Sequence, residues 1–267
     1  MSVSRGRMAG SACEDRRMPT AELAELTVQV DTGRWSETVL DSVSLVVHSG
    51  RITALLGESG CGKSMVAAAL AGLLPPVARG TGEVRVNGTV VRNQEQWRQL
   101  RQRTVGLVPQ SGVTAFAAER TVGAQLRERQ RSHPGRSVED ACAAARYPAE
   151  VLDLYPHQHA SGQIQRAALA AALLPRPDLL VVDEPSASLD LGTAKEVWAN
   201  LRTCADSGAA VLAITHDVPL LAEIGAADRM VFLREGRVVA EGSPAEMGVL
   251  PDPYVRGFFH PVPTSRG

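Results

Sequence analysis

The stretch Gly57-Glu58-Ser59-Gly60-Cys61-Gly62-Lys63-Ser64 fits the pattern G-x-x-x-x-G-K-[ST] and lies between the apolar run 52–56 and the helix-favouring run 65–74. That order predicts strand, glycine loop, helix. Glycines are required because the loop must pass through positive φ to turn its backbone N–H groups inward on phosphate oxygens. The following helix adds the positive end of its dipole. In such a loop Lys63 supplies charge to the outer phosphates of a nucleotide, and the Ser64 hydroxyl is placed to ligate a bridging Mg²⁺. By ordinary composition the bare pattern would arise by chance in a chain of this length on the order of once in a hundred.

At 267 residues, 44% of them hydrophobic, the chain is long enough for one large domain or a domain with an inserted subdomain. Lys and Arg number 28 against 29 Asp and Glu, a net charge of −1, which argues against a nucleic-acid partner needing a basic face. The longest apolar runs, 65–74 and 167–174, are about half of what a bilayer needs, so any membrane role comes through a partner. Residues 1–18 carry several arginines and no apolar segment, which excludes a secretory signal and predicts a disordered extension over 1–20. Cys13, Cys61, Cys142 and Cys204 are scattered without C-x-x-C spacing, which favours reduced thiols in a cytoplasmic protein. Cys61 occupies a position that the phosphate-loop pattern leaves free; it reads as a small tolerated residue, or else as an oxidation-sensitive thiol.

Alternation of apolar and polar residues predicts strands over 23–30 and 39–47, joined through 31–38. The prolines Pro75-Pro76 are expected to end the helix after the loop, and 82–91 reads as a hairpin closed at Asn87-Gly88. From 111 to 174 the pattern turns helical, before apolar runs at 179–182 and 211–214 that lack alternation, as parallel strands covered on both faces do. The expected domains are a core over 21–110 and 175–250 including a β subdomain, an inserted helical subdomain over 111–174, and a tail over 251–267.

The run Leu179 to Val182 ends in Asp183-Glu184, two adjacent carboxylates after a buried strand. Beside a phosphate loop, one carboxylate holds Mg²⁺ and the other handles the proton of an attacking water.

The succession GESGCGKS, VPQS, YPHQHASGQIQR, LLVVDEPSASLD and AITHD resembles the nucleotide-binding subunit of ATP-binding-cassette (ABC) transporters, over nearly everything after residue 20. The resemblance implies an α/β fold: a RecA-like P-loop core with a mostly parallel sheet, an N-terminal antiparallel β subdomain and an inserted helical subdomain. It implies ATP and Mg²⁺, with Glu184 as general base, His216 as the histidine at the γ-phosphate, and Gln110 reaching the metal and water. Ser64, Asp183 and Gln110 are the implied metal residues. Asp190 matches the acidic end of the loop coupling two protomers, which in this family face head to tail, each nucleotide lying between one phosphate loop and the other subunit's signature segment. The implied partners are transmembrane permease subunits, a second ATPase subunit and a solute-binding protein, with the chain peripheral on the inner face of the cell membrane. The stretches 72–76, 111–128 and 155–158 and the late Pro251-Asp252-Pro253-Tyr254 resemble the importer branch for dipeptides, oligopeptides and nickel. An exporter subunit, or a soluble ABC protein acting on ribosomes or DNA, is the rival; the second kind is disfavoured by a single cassette and a short insert.

Two departures stand out. The adenine-stacking aromatic of the family falls at Val30, and Trp35 is the large ring in the hairpin that can replace it. The signature segment, usually L-S-G-G-Q, reads His159-Ala160-Ser161-Gly162-Gln163, placing Ala160 where a serine hydroxyl normally reaches phosphate. Ser161 is then expected to cap the helix that begins here. Unequal sites in a heterodimer follow from that change. His157 and His159 flank a helix and read as structural residues rather than a metal site.

Overall fold

The computed structural model describes residues 19–132, 135–187 and 189–259. Strands β1 (Pro19–Asp31) and β2 (Ser36–His48) pair antiparallel with Leu23 opposite Leu45. β3 (Ile52–Leu56) leads through the glycine loop into α1 (Lys63–Ala71), and β4 (Ala78–Val86) and β5 (Thr89–Val90) complete a small sheet ordered β2-β1-β4-β5. The first two strands run beyond their alternating centres. β1 is hydrogen-bonded on both edges, by β2 and β4, so its ends are held by the ladder without needing apolar side chains. β1 starts at Pro19, which pairs with His48 of β2, inside the segment 1–20 read as disordered; residues 1–18 of that segment lie outside the described residues. The β4–β5 turn is closed at Asn87-Gly88 as expected, with φ of 48° and 76°, the paired positive values of a type I′ hairpin.

Helix α1 stops at Ala71, short of the prolines expected to end it. Gly72 terminates it at φ 65°, with its N–H bonded to Ala69 O (3.2 Å) and that of Leu73 to Ala68 O (2.7 Å). A Cβ on Gly72 would run into the Trp97 ring, so the cap also seats α2 (Gln94–Arg103).

The chain continues through β6 (Val105–Val108), α3 (Val122–Ser132), α4 (Val138–Ala144), α5 (Ser161–Leu173), β7 (Leu179–Asp183) and α6 (Leu191–Asp206). It then adds β8 (Ala210–Ile214), α7 (Val218–Ile224), β9 (Arg229–Arg234), β10 (Arg237–Gly242), α8 (Pro244–Val249) and α9 (Pro253–Phe259). A six-stranded sheet runs β10-β9-β3-β8-β7-β6, parallel except for the β9–β10 hairpin. Its central strands β3, β7 and β8 are buried on both faces, and the two-residue period divides the side chains of the sheet. Leu55, Val181, Leu212 and Val231 pack toward α1 and the small sheet, while Leu56, Val182, Ala213 and Phe232 pack toward α5, α6 and the helical segment. Each such large aliphatic contributes about 1.5–3 kcal/mol on burial.

Within 111–174, buried Gln125 takes the place of sheet ladders: its side chain bonds Ala117 N (2.8 Å), Ala117 O (3.0 Å) and Arg120 O (3.0 Å), tying the preceding loop to α3. In the segment read as a tail, α9 packs back on the core through Val255, fully buried. None of the helices in the described residues is long and apolar enough to cross a membrane.

Candidate nucleotide site

The parallel strands end at one edge of the sheet, and their C-terminal loops supply the site. After β3 the chain enters Gly57 at φ 154°, where an added Cβ would strike the carbonyl oxygen of Leu233 at the end of β9. At Gly62, φ 107°, a Cβ would lie 2.8 Å from the Leu40 side chain and 2.9 Å from Val39 O. The loop thus has no room for a side chain at Gly57 or Gly62, and it opens the first turn of α1 to the cleft. Lys63 Nζ donates to Gly57 O and Glu58 O, both at 2.7 Å, so the ammonium is held over the loop by the carbonyls that flank the cradle. Cys61 is buried beneath it, with Sγ 3.9 Å from that ammonium.

Across the loop, β7 delivers Asp183 and Glu184, and β8 delivers His216. Ser64 Oγ donates to Asp183 Oδ2 at 3.4 Å. Burial, with the neighbouring Glu184 charge, pushes the Asp183 carboxyl above its usual range, opposed by the Ser64 hydroxyl and Lys63. A hydroxyl and a raised carboxylate side by side form a donor set suited to a hard divalent cation bound together with phosphate. Among the described residues there is no cluster of three or more His, Cys, Asp or Glu that would hold a metal without such a ligand. Glu184 has φ 48°, an αL conformation secured by its N–H to Ile214 O (2.9 Å), and this swings its carboxylate toward His216, whose Nδ1 lies 2.9 Å from Oε1.

Gly57, Glu58, Ser59, Gly60, Gly62, Lys63, Ser64, Gln110, Asp183, Glu184 and His216 therefore line one cleft of about 660 Å³. Gln110 is held there indirectly, since buried Gln165 of α5 donates from Nε2 to Pro109 O at 3.2 Å. The glycine cradle, the Lys63 ammonium and the Ser64–Asp183 pair fit a Mg²⁺-bound nucleoside triphosphate.

The remaining expected residues lie elsewhere. Trp35 is 50% exposed in the β1–β2 turn, outside the cleft lining, and Val39 is the residue of that hairpin that reaches the cleft. Ala160, Ser161, Gly162 and Gln163 open α5, and Asp190 caps α6 through Thr193 N at 3.0 Å. The two segments touch: a Cβ on Gly162 would lie 2.6 Å from Thr193 Cγ2. The cap at α5 differs from the expectation. Ala160 holds the cap position at ψ 153° and Ser161 is already the first helical residue, so its hydroxyl does not close the helix end. Gln163 Oε1 instead accepts from Ala160 N at 3.1 Å. His159 braces this loop, with Nδ1 donating to Tyr155 O (2.9 Å) and Nε2 2.7 Å from the Tyr147 hydroxyl.

The C-terminal helix α9, read only as part of a tail, also reaches this region. Phe258 lines the cleft, and Tyr254 of the same helix accepts a hydrogen bond from Glu58 N at 3.2 Å. The dipeptide Pro253-Tyr254 is a visible sequence feature, but a contact across 196 positions carries no periodic signal.

The ABC transporter family profile matches residues 40–187, more than half of the chain. The chain is 35% identical over 236 residues to the oligopeptide transport ATP-binding protein OppD of Mycobacterium tuberculosis, covering 83% of this chain but only 38% of that protein's length. A probable peptide ABC transporter ATP-binding protein of Sinorhizobium fredii is 33% identical (85% and 72% covered), and a putative peptide import ATP-binding protein of Brucella melitensis 30% (92% and 78%). Among solved structures, the ATP-binding cassette MJ0796, dimeric in a post-hydrolysis state with ADP and Pi, superposes with TM-score 0.73 at 23% identity, covering 84% of this chain and 98% of that one. CbiO1 of Clostridium perfringens gives 0.71 at 23%, covering 85% and 90%; at these identities the likeness is one of fold. With the profile spanning the phosphate loop and the paired carboxylates, and two of these relatives matched over more than two thirds of their length, the chain belongs to the ABC transporter family of ATP-binding cassettes.

Proposed function

We propose that this chain is the ATP-hydrolysing subunit of an importer of peptides or similar small solutes, attached to the inner face of the cell membrane through permease subunits. The observation that carries the reading is the convergence of the phosphate loop, the Ser64–Asp183 pair and the Glu184–His216 pair on one cleft. The importer and its solute class rest on the names of the three relatives given above, which are ATP-binding proteins of peptide or oligopeptide transport.

Bound Mg²⁺ would neutralise charge on the outer phosphates and orient them. The chain's own residues do the rest. Lys63 would exchange its loop carbonyls for phosphate oxygens, and Ser64, Asp183 and Gln110 would hold the metal. Glu184 takes the proton of the attacking water, and His216 fixes the carboxylate that receives it. The ring of Trp35, half exposed on the hairpin that sends Val39 to the cleft, is available to stack on the base.

This chain works beside a different ATPase subunit. Its cleft residues are intact, whereas the segment it would present to a partner's nucleotide has Ala160 in place of a hydroxyl. The test is ATP hydrolysis and peptide uptake by the full chain assembled with its permeases, second ATPase and solute-binding protein in proteoliposomes. Peptide-stimulated hydrolysis that Lys63→Ala abolishes supports the reading. Hydrolysis by this chain alone as a fully active homodimer, or peptide uptake unaffected by Lys63→Ala, would overturn it.

A further inference from the structure

We propose that Tyr254 is a positioning residue of the phosphate loop, through which α9 sets nucleotide affinity. The proposal rests on the reading of that loop as the nucleotide site and adds a residue to it.

The Tyr254 hydroxyl uses both of its hydrogen-bonding capacities on backbone. It donates to Leu233 O at 2.8 Å and accepts from Glu58 N at 3.2 Å, so one oxygen joins the end of β9 to the second residue of the loop. Leu233 O is also the atom against which Gly57 is packed, and the carbonyls of Gly57 and Glu58 are the two that hold Lys63 Nζ. The hydroxyl therefore sits one peptide away from the groups that set where the Lys63 ammonium lies. The partly buried ring is itself fixed on two sides: the Arg234 guanidinium lies 5.1 Å from its centroid, and Phe258 meets it edge-on at 5.2 Å. Phe258 also lines the cleft and packs edge-on against Phe232 at 5.4 Å. α9 further packs on α7, the helix that starts two residues after His216. One short helix thus braces the loop that holds the phosphates and the helix that follows the histidine at the same cleft.

Without the hydroxyl, Glu58 N–H and Leu233 O lose their shared partner and the loop entry is free to shift, while the ring contacts persist. Tyr254→Phe separates the two. Titration of the full-length chain with a fluorescent ATP analogue in Mg²⁺ should show affinity lowered about threefold to tenfold, the effect of one or two net hydrogen bonds, with Tm within about 2 °C of the parent. In the assembled transporter KM for ATP should rise by a similar factor with kcat nearly unchanged. Phe259→Leu, which trims α9 packing without touching the hydroxyl, should lower Tm and leave affinity alone. Unchanged affinity in Tyr254→Phe overturns the proposal, and so does an equal loss of affinity in Phe259→Leu, which would make the role that of the fold alone. Lys63→Ala is run alongside: if it binds the analogue as tightly as the parent, the phosphate-loop reading fails, whereas a loss in Lys63→Ala with none in Tyr254→Phe removes only the present inference.

Discussion

His216 Nδ1 lies 2.9 Å from Glu184 Oε1, bringing together the ends of two adjacent parallel strands. The carboxylate side chain is only 12% exposed while the imidazole is 70% exposed, so a sheltered carboxylate is paired with a group open to solvent. Replacing the carboxylate proposed as the general base by an amide of the same shape should separate binding from chemistry. Glu184→Gln is expected to bind ATP within about twofold of the parent, and to lose at least about a hundredfold in turnover. Phosphate release and size-exclusion chromatography with ATP measure it, the second showing a persistent closed dimer. Turnover at the parental rate would mean that Glu184 is not the base.

Trp35→Ala tests the base-stacking role. Stacking on an aromatic ring is worth about 1–3 kcal/mol, so ATP affinity should fall about fivefold or more, and GTP affinity with it because stacking reads any base. The ring is half exposed, so Tm should hardly move. An unchanged affinity in the folded variant would assign Trp35 to the hairpin surface.

Ala160→Ser restores a hydroxyl at the α5 cap. It should stabilise the helix by about 1 kcal/mol through the cap itself and, in the assembled transporter, raise ATP affinity at the site shared with the partner about tenfold. In the same assembly Lys63→Ala should stop transport while the equivalent lysine change in the partner is tolerated better. Equal loss from both lysine changes would refute unequal sites.

Burial pushes the Cys142 thiol up to about 11, with Glu139 adding to it, and the Cys204 thiol also to about 11, against Arg136. An unfolded thiol ionises near pH 8.5. Because the folded values lie higher, the stability these groups contribute is fully present below about pH 8.5 and is lost as pH rises through about 11. Tm should therefore fall on the alkaline side between those values, less steeply in the Cys142→Ala, Cys204→Ala double variant measured from its own baseline. Alkylation at pH 8 should be at least about tenfold slower for both thiols in the folded chain than in denaturant. Rapid alkylation of either in the folded chain would contradict the burial argument.

Much of this architecture is a local property of the chain. The loop 57–64, the apolar run into Asp183-Glu184 and the Asn87-Gly88 turn are each written in contiguous residues whose backbone geometry or burial leaves few alternatives. That is why the strand centres, the hairpin closed at Asn87-Gly88 and the cleft residues Lys63, Ser64, Asp183 and Glu184 could be named from the order of amino acids. The end of α1 was legible too in principle, since Gly72 marks it, but the adjacent prolines gave the stronger signal.

What sequence order does not carry is who meets whom at long range. Gly57 must be glycine because Leu233 O presses on it, Gln110 is held through Gln165, and Tyr254 reaches Glu58 across the whole core. The capping position at α5 fell to Ala160 because the helix starts at Ser161, a difference of one residue that the pattern HASGQ leaves open. Local propensity and burial pattern fix strands, turns and the phosphate loop because their energetics are short-range; hydrogen bonds between distant segments depend on how the sheet and helices pack, and only the tertiary structure decides those.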